Sequence, residues 1–145
     1  MNTNKFEKLQ RINCLVSETD GLYHQASLKI GLSDSASRIL YALYMGGGSS
    51  LLSDIYKDAG ISKQTVNSAL RKLEEEDVIR LEQHHGKAKM VYLTEYGKEK
   101  ANATVSRLVD AEMGAFASWS EEEIDTYIYF TNKYVETFRE QVNKL

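Results

Sequence analysis

Between Phe6 and Ile30 the apolar residues Leu9, Ile12, Val16, Tyr23, Ala26 and Ile30 return every three or four positions, which predicts one long amphipathic helix despite Gly21 in its interior. Gly31 is its expected stop, since a residue without a Cβ adopts the left-handed conformation that closes a helix. Ser33 or Asp34 then caps a second helix with Ile39, Leu40, Leu43 and Tyr44 on its inner face, ended by Gly46, Gly47 and Gly48. Ser50 is the expected N-cap of a short helix from Leu51 to Ala59, whose inward residues are Leu52, Ile55 and Tyr56 or Ala59. Gly60 makes the turn. Ile61, Ser62, Thr65 and Val66 set a capping hydroxyl between two apolar residues at staple spacing, so the next helix runs from about Lys63 to Glu76 and buries Val66, Ala69, Leu70 and Leu73.

At Val78 the period shortens to two. Ile79 and Leu81 face one way and Arg80 and Glu82 the other, which predicts a strand. Beyond His84, His85, Gly86 and Lys87, the run Met90 to Leu93 is the returning strand of a hairpin. Thr94 caps a helix reaching about Ala117, with Ala101, Val105, Leu108, Val109 and Met113 or Phe116 turned inward. Trp119, Ser120, Glu123 and Ile124 make a staple around a capping box that starts the last helix. On it Ile124, Tyr127, Ile128, Thr131, Tyr134, Val135, Phe138 and Val142 form one stripe with Leu145 at its edge, a surface that needs a partner.

The complete absence of proline agrees with long uninterrupted helices, and 42% hydrophobic with 27% charged residues describes an ordinary globular chain. Apolar runs such as Ile39 to Leu43 are far shorter than a membrane span, and Met1 to Arg11 has no signal-peptide pattern. Cys14 stands alone, which excludes an intrachain disulfide or a multi-cysteine zinc site and fits a reducing, cytoplasmic setting. No repeat or composition shift divides the 145 residues, so a single domain is expected. The net charge of −3 offers no general attraction to nucleic acid, so any such role must rest on a local basic surface.

Such a surface is present. Two short helices joined at Gly60 and followed by a hairpin form a winged helix-turn-helix, whose second helix enters a DNA major groove. That helix sets Ser62, Lys63, Gln64, Thr65, Asn67, Ser68, Arg71 and Lys72 around its apolar face. Asn and Gln match adenine edges, Arg and Lys match guanine, and Ser or Thr reach bases or phosphates. Three cations and no acid lie between Ser62 and Leu73, whereas Glu74, Glu75, Glu76 and Asp77 crowd the far end, which must stay clear of DNA. The hairpin tip adds His84, His85, Lys87 and Lys89 for a minor groove or phosphates. The candidate DNA contacts are therefore Ser50, Ser62, Lys63, Gln64, Thr65, Asn67, Ser68, Arg71, His84, His85, Lys87 and Lys89. The competing reading of each is a solvated surface.

No metal or cofactor is expected: adjacent His84 and His85 should point apart, and His24 has no companion motif. An enzyme is not expected either, since the chain lacks a Gly-x-Ser-x-Gly elbow, a His-Glu-x-x-His pair, a phosphate loop around Gly46 to Gly48 and a dinucleotide fingerprint. Glu121, Glu122 and Glu123 are explained by the dipole of the helix they begin.

The run from Gly60 through Ile61-Ser62-Lys63-Gln64-Thr65-Val66-Asn67-Ser68-Ala69-Leu70-Arg71-Lys72-Leu73 to Glu74, with Gly86 to Gly97 including Leu93, Thr94 and Gly97, resembles the multiple-antibiotic-resistance regulator (MarR) family. The resemblance implies a mainly α fold with a small β-hairpin wing, in a homodimer built on the first and last helices, that usually represses transcription from a palindromic site. It assigns residues 1–32 and 98–145 to dimerisation and 33–97 to duplex DNA. Phe6, Leu9, Ile12, Ile124, Tyr127, Ile128, Tyr134, Val135, Phe138 and Val142 become the candidate dimer residues. The family's wing carries aspartate and, two residues on, arginine, where this chain has His85 and Lys87; lysine lacks the arginine fork, so the recognition helix should dominate readout. The resemblance further implies a small phenolic or lipophilic effector, for which Tyr23, His24, Tyr41 and Tyr44 are candidates, with ordinary core packing as the competing reading. A redox branch of the family senses peroxide through a first-helix cysteine, but Cys14 lies about 150° from the apolar stripe, on an outer face. The remaining alternative is a winged-helix protein-interaction module without DNA binding.

Overall fold

The computed structural model describes residues 2–145. Helix α1 spans Thr3–Lys29, beginning ahead of the apolar stripe because the Asn2 side chain accepts from the Lys5 N–H and caps it there. It closes on Gly31 at φ +75°, where Leu32 N–H donates to Ser27 carbonyl (3.0 Å) and Gly31 N–H to Leu28 carbonyl (3.2 Å). Ser33 Oγ then accepts from Ala36 N–H at 3.2 Å and starts α2, Asp34–Met45.

The next segment departs from the sequence reading. Ser49–Leu51 is a strand, β1, and helix α3 covers Leu52–Asp58 with Leu51 at its N-cap and no side-chain cap bond. Ser50 instead pairs with Val91 in the sheet and its hydroxyl donates to the Leu51 carbonyl at 3.2 Å. An open strand edge satisfies the backbone of three residues at once, more than one serine cap offers.

Helix α4, Lys63–Glu75, starts where Ser62 Oγ accepts from Thr65 N–H (3.2 Å) and buries Val66, Ala69, Leu70 and Leu73. Asp77 closes it at φ 60°, a left-handed conformation unusual for a residue other than glycine. Strands β2, Ile79–Gln83, and β3, Lys89–Leu93, form the expected hairpin; β1 joins the other side of β3, giving an antiparallel sheet in the order β1-β3-β2. The helix expected from Thr94 to Ala117 is two: α5, Glu95–Ala103, and α6, Val105–Phe116. They part at Thr104 (φ −124°, ψ −84°), whose hydroxyl donates back to Lys100 carbonyl at 2.6 Å, a bond that competes with helix geometry.

The chain forms two compact units, one ending at Leu108 and the other comprising Val109–Leu145. The first unit centres on Ile39, Leu40, Leu43, Ile55, Val66, Val78, Ile79, Val91 and Val105, all nearly inaccessible to solvent. The stripe of α1 lies outside that core: Leu9, Ile12, Val16 and Tyr23 are all exposed.

In the second unit, α7 covers Glu121–Val142 and buries no residue. Trp119 packs edge-on against Phe116 and Tyr127, at centroid distances of 5.0 and 5.7 Å. The capping box is complete: Ser120 N–H donates to Glu123 Oε1 (3.0 Å) and Glu123 N–H to Ser120 Oγ (3.1 Å). The backbone bond from Ser120, aided by its hydroxyl, lowers the Glu123 pKa from the ordinary glutamate value. A folded-state pKa below the unfolded one means the cap contributes above the unfolded value and is lost as pH falls through the folded one. Carboxyl NMR titration should place the Glu123 midpoint below that of an unstructured glutamate, and Ser120→Ala, which removes the hydroxyl and keeps the backbone N–H, should return it part of the way upward; a wild-type midpoint at or above the unstructured value would refute the assignment.

Candidate nucleic-acid interface

Four buried residues fix which way α4 is turned, and this leaves Gln64, Ser68 and Arg71, spaced by four and three, along the opposite, exposed side. None of these three side chains is engaged by the rest of the chain among the described residues. The other candidates on α4 are occupied. Ser62 and Thr65 hydroxyls lie 2.8 Å apart, and Ser62 also serves as cap. Lys63 Nζ sits 4.9 Å from the centre of the Tyr56 ring, and the Tyr56 hydroxyl donates to Asn67 Oδ1. Glu74, Glu75, Glu76 and Asp77 are exposed at the opposite end of the helix from these groups.

Two supporting residues escape sequence reasoning. Arg38 of α2 donates from Nη1 to the Ala59 carbonyl at 2.7 Å, tying α2 to the helix-turn-helix corner where Gly60 adopts φ +66°. The sequence pattern offers Tyr56 only as inward packing, and its ring does lie against the core; its hydroxyl, however, reaches across to α4. A tyrosine at a half-buried position, where leucine would fill space as well, is the one signal the sequence carried for it.

At the wing tip, His84 N–H donates to Ala88 carbonyl (2.7 Å) and the Gln83 amide to Gly86 carbonyl, around Gly86 at φ +65°. His84, His85, Lys87 and Lys89 are all exposed. The histidine rings, expected to diverge, lie 4.5 Å apart at 60°. No group of three or more metal-ligating side chains occurs among the described residues. Ser50 is half-buried within β1, in the sheet and away from the α4 sequence. Of the effector candidates, Tyr41 and Tyr44 pack against the core, Tyr23 is exposed, and His24 Nδ1 pairs with Asp34 at 2.9 Å. Cys14 is exposed, as is the apolar stripe of the same helix. No described helix is long and apolar enough to cross a membrane.

Comparison with known proteins is consistent with this geometry. The model of the MarR family matches residues 30–88. No curated protein matches the sequence. Among solved structures, a MarR family regulator from Neisseria meningitidis is similar over 94% of this chain and 97% of its own, with TM-score 0.85 and 16% identity. The DNA complex of MepR from S. aureus is similar over 89% and 96%, with TM-score 0.67 and 21% identity. BpsR from Bordetella bronchiseptica, whose DNA binding is regulated by 6-hydroxynicotinic acid, is similar over 86% and 98%, with TM-score 0.65 and 17% identity. Residues 30–88 thus match the MarR family of transcription regulators, on a chain that shares the fold of that family's solved structures.

Proposed function

We propose that this chain is a DNA-binding transcription regulator, acting as a homodimer and more often repressing than activating. It reads a palindromic site by placing α4 of each copy in successive major grooves about 34 Å apart. The observation that carries this reading is the exposed row of Gln64, Ser68 and Arg71 on a helix whose opposite face is locked into the core. Unengaged donors on a rigid element suit base edges, because little ordering is needed on contact. Lys87 and Lys89 at the wing suit phosphates or the minor groove. That MepR was captured on DNA and BpsR is regulated by a small aromatic acid supports a DNA site and an effector for this chain as well. An effector that favours another spacing of the two recognition helices releases the DNA by shifting the population of dimer geometries.

The test is binding of purified protein to a palindromic duplex across a salt series. Affinity should fall steeply as salt rises, through release of counterions. Gln64→Ala should lose about 1–3 kcal/mol on the cognate duplex and far less on unrelated sequence. Lys87→Ala should weaken all sequences alike and flatten the logarithmic salt slope by about one. The same loss of discrimination in both variants, or salt-independent binding, would count against the reading.

A further inference from the structure

We propose that Tyr56 sets the base preference of Asn67, so that a residue of the supporting helix determines specificity at one position of each half-site; this rests on the DNA-reading role of α4. The Tyr56 ring is half-buried against the core, so its hydroxyl is a fixed point and not a swinging side chain. That hydroxyl donates to Asn67 Oδ1. A free asparagine recognises adenine with both ends of its amide, the oxygen accepting from N6 and the nitrogen donating to N7. In this chain the oxygen accepts from Tyr56, which leaves the amide NH2, a donor only, as the end available to a base. A donor-only tip favours guanine, whose N7 and O6 both accept, over adenine, whose single acceptor N7 lies beside the N6 donor. Asn67 therefore reads guanine in preference to adenine.

Lys63 strengthens the assignment. One turn before Asn67 on the same side of α4, its ammonium lies over the face of the same ring. Tyr56 thus orders two outward side chains of the recognition helix through separate groups, the ring for Lys63 and the hydroxyl for Asn67. Tyr56→Phe removes the second and spares the first.

The experiment selects a randomised inverted-repeat duplex library with the full-length protein, its Tyr56→Phe and Asn67→Ala variants and the double variant. The position at issue is the one whose preference Asn67→Ala erases. There the wild type should recover guanine, and Tyr56→Phe should raise the adenine-to-guanine ratio by about tenfold, the lower range of one bidentate contact. The salt slope and the unfolding midpoint should stay put, which separates specificity from a structural role. In the Asn67→Ala background, Tyr56→Phe should change nothing further. An unchanged preference in Tyr56→Phe, or equal weakening on every sequence, overturns the proposal while leaving the DNA-reading role intact. A wild type that enriches no sequence removes both. NMR of the free protein tells these failures apart: Tyr56→Phe must move the Asn67 side-chain amide signals if the contact exists, and unmoved signals refute it without any DNA.

Discussion

Gly97→Ala is expected to destabilise the protein by about 3 kcal/mol, although it adds a single methyl to a helix. Gly97 occupies the first turn of α5, where its N–H donates to Thr94 Oγ1 at 2.9 Å. A Cβ there would overlap the Val78 carbonyl oxygen, and would lie 3.0 Å from its carbon and 3.3 Å from Leu93 Cδ2. The carbonyl has no room to retreat. It accepts from Thr94 N–H (3.1 Å) and the Thr94 hydroxyl (3.2 Å), and Val78 is itself buried with its N–H on Leu73 carbonyl (2.9 Å). The clash therefore opens the junction at which the wing returns to α5. Gly21→Ala is the control. Gly21 lies inside α1 with nothing within 4 Å of an added Cβ, so the same methyl should stabilise by about 0.5–1 kcal/mol. Urea midpoints of the two variants should move in opposite directions, and a Gly97→Ala protein as stable as wild type would show that the close approach is not obligatory.

The second large effect concerns assembly. Tyr127, Ile128, Tyr134, Val135, Phe138 and Val142 lie on one stripe of α7 and all remain exposed, and Tyr134 and Phe138 stack with centroids 5.4 Å apart and planes 16° from parallel. Burying such side chains is worth about 1.5–3 kcal/mol each, which favours a second copy covering them. The double substitution Tyr134→Glu, Phe138→Glu places unpaired charges in that surface and should raise the dimer dissociation constant at least about 10³-fold. Affinity for a palindromic duplex should then fall about 10²- to 10⁴-fold, because the second half-site is no longer held near the first. Lys133→Glu, on the exposed far side of the helix, should leave both quantities unchanged. Sedimentation and DNA titration measure the two effects together. A wild-type chain that is monomeric at micromolar concentration, or a double variant that still dimerises, would contradict the assignment of the stripe.

The elements legible in the sequence are those that carry their own punctuation. Ser33, Ser62, Thr94 and Ser120 each cap the helix that follows them, and Gly31 and Gly46 mark ends, because capping acts over three or four residues and needs no distant partner. Helix α4 was legible for the same reason: its four buried residues repeat with the helical period, which by exclusion sets Ser62, Lys63, Gln64, Thr65, Asn67, Ser68, Arg71 and Lys72 around them. What could not be read depends on groups far apart in the chain. Three residues are too few to show a period, so Ser49–Leu51 became a strand only when β3 presented an edge. The break at Thr104 reflects a hydroxyl turning back on its own helix, which composition does not announce.

The sequence alone thus determined where α2, α4, α5 and α7 start, which face of α4 is apolar and which cations accompany it, since these follow from local hydrogen bonding and periodicity. Only the tertiary structure decided that Arg38 braces the helix-turn-helix corner, that Asn67 has its oxygen engaged and that the sheet has a third strand. Those outcomes depend on side chains and edges separated by 11 to 43 residues meeting at bonding distance, and that meeting is a property of packing, which no single segment encodes.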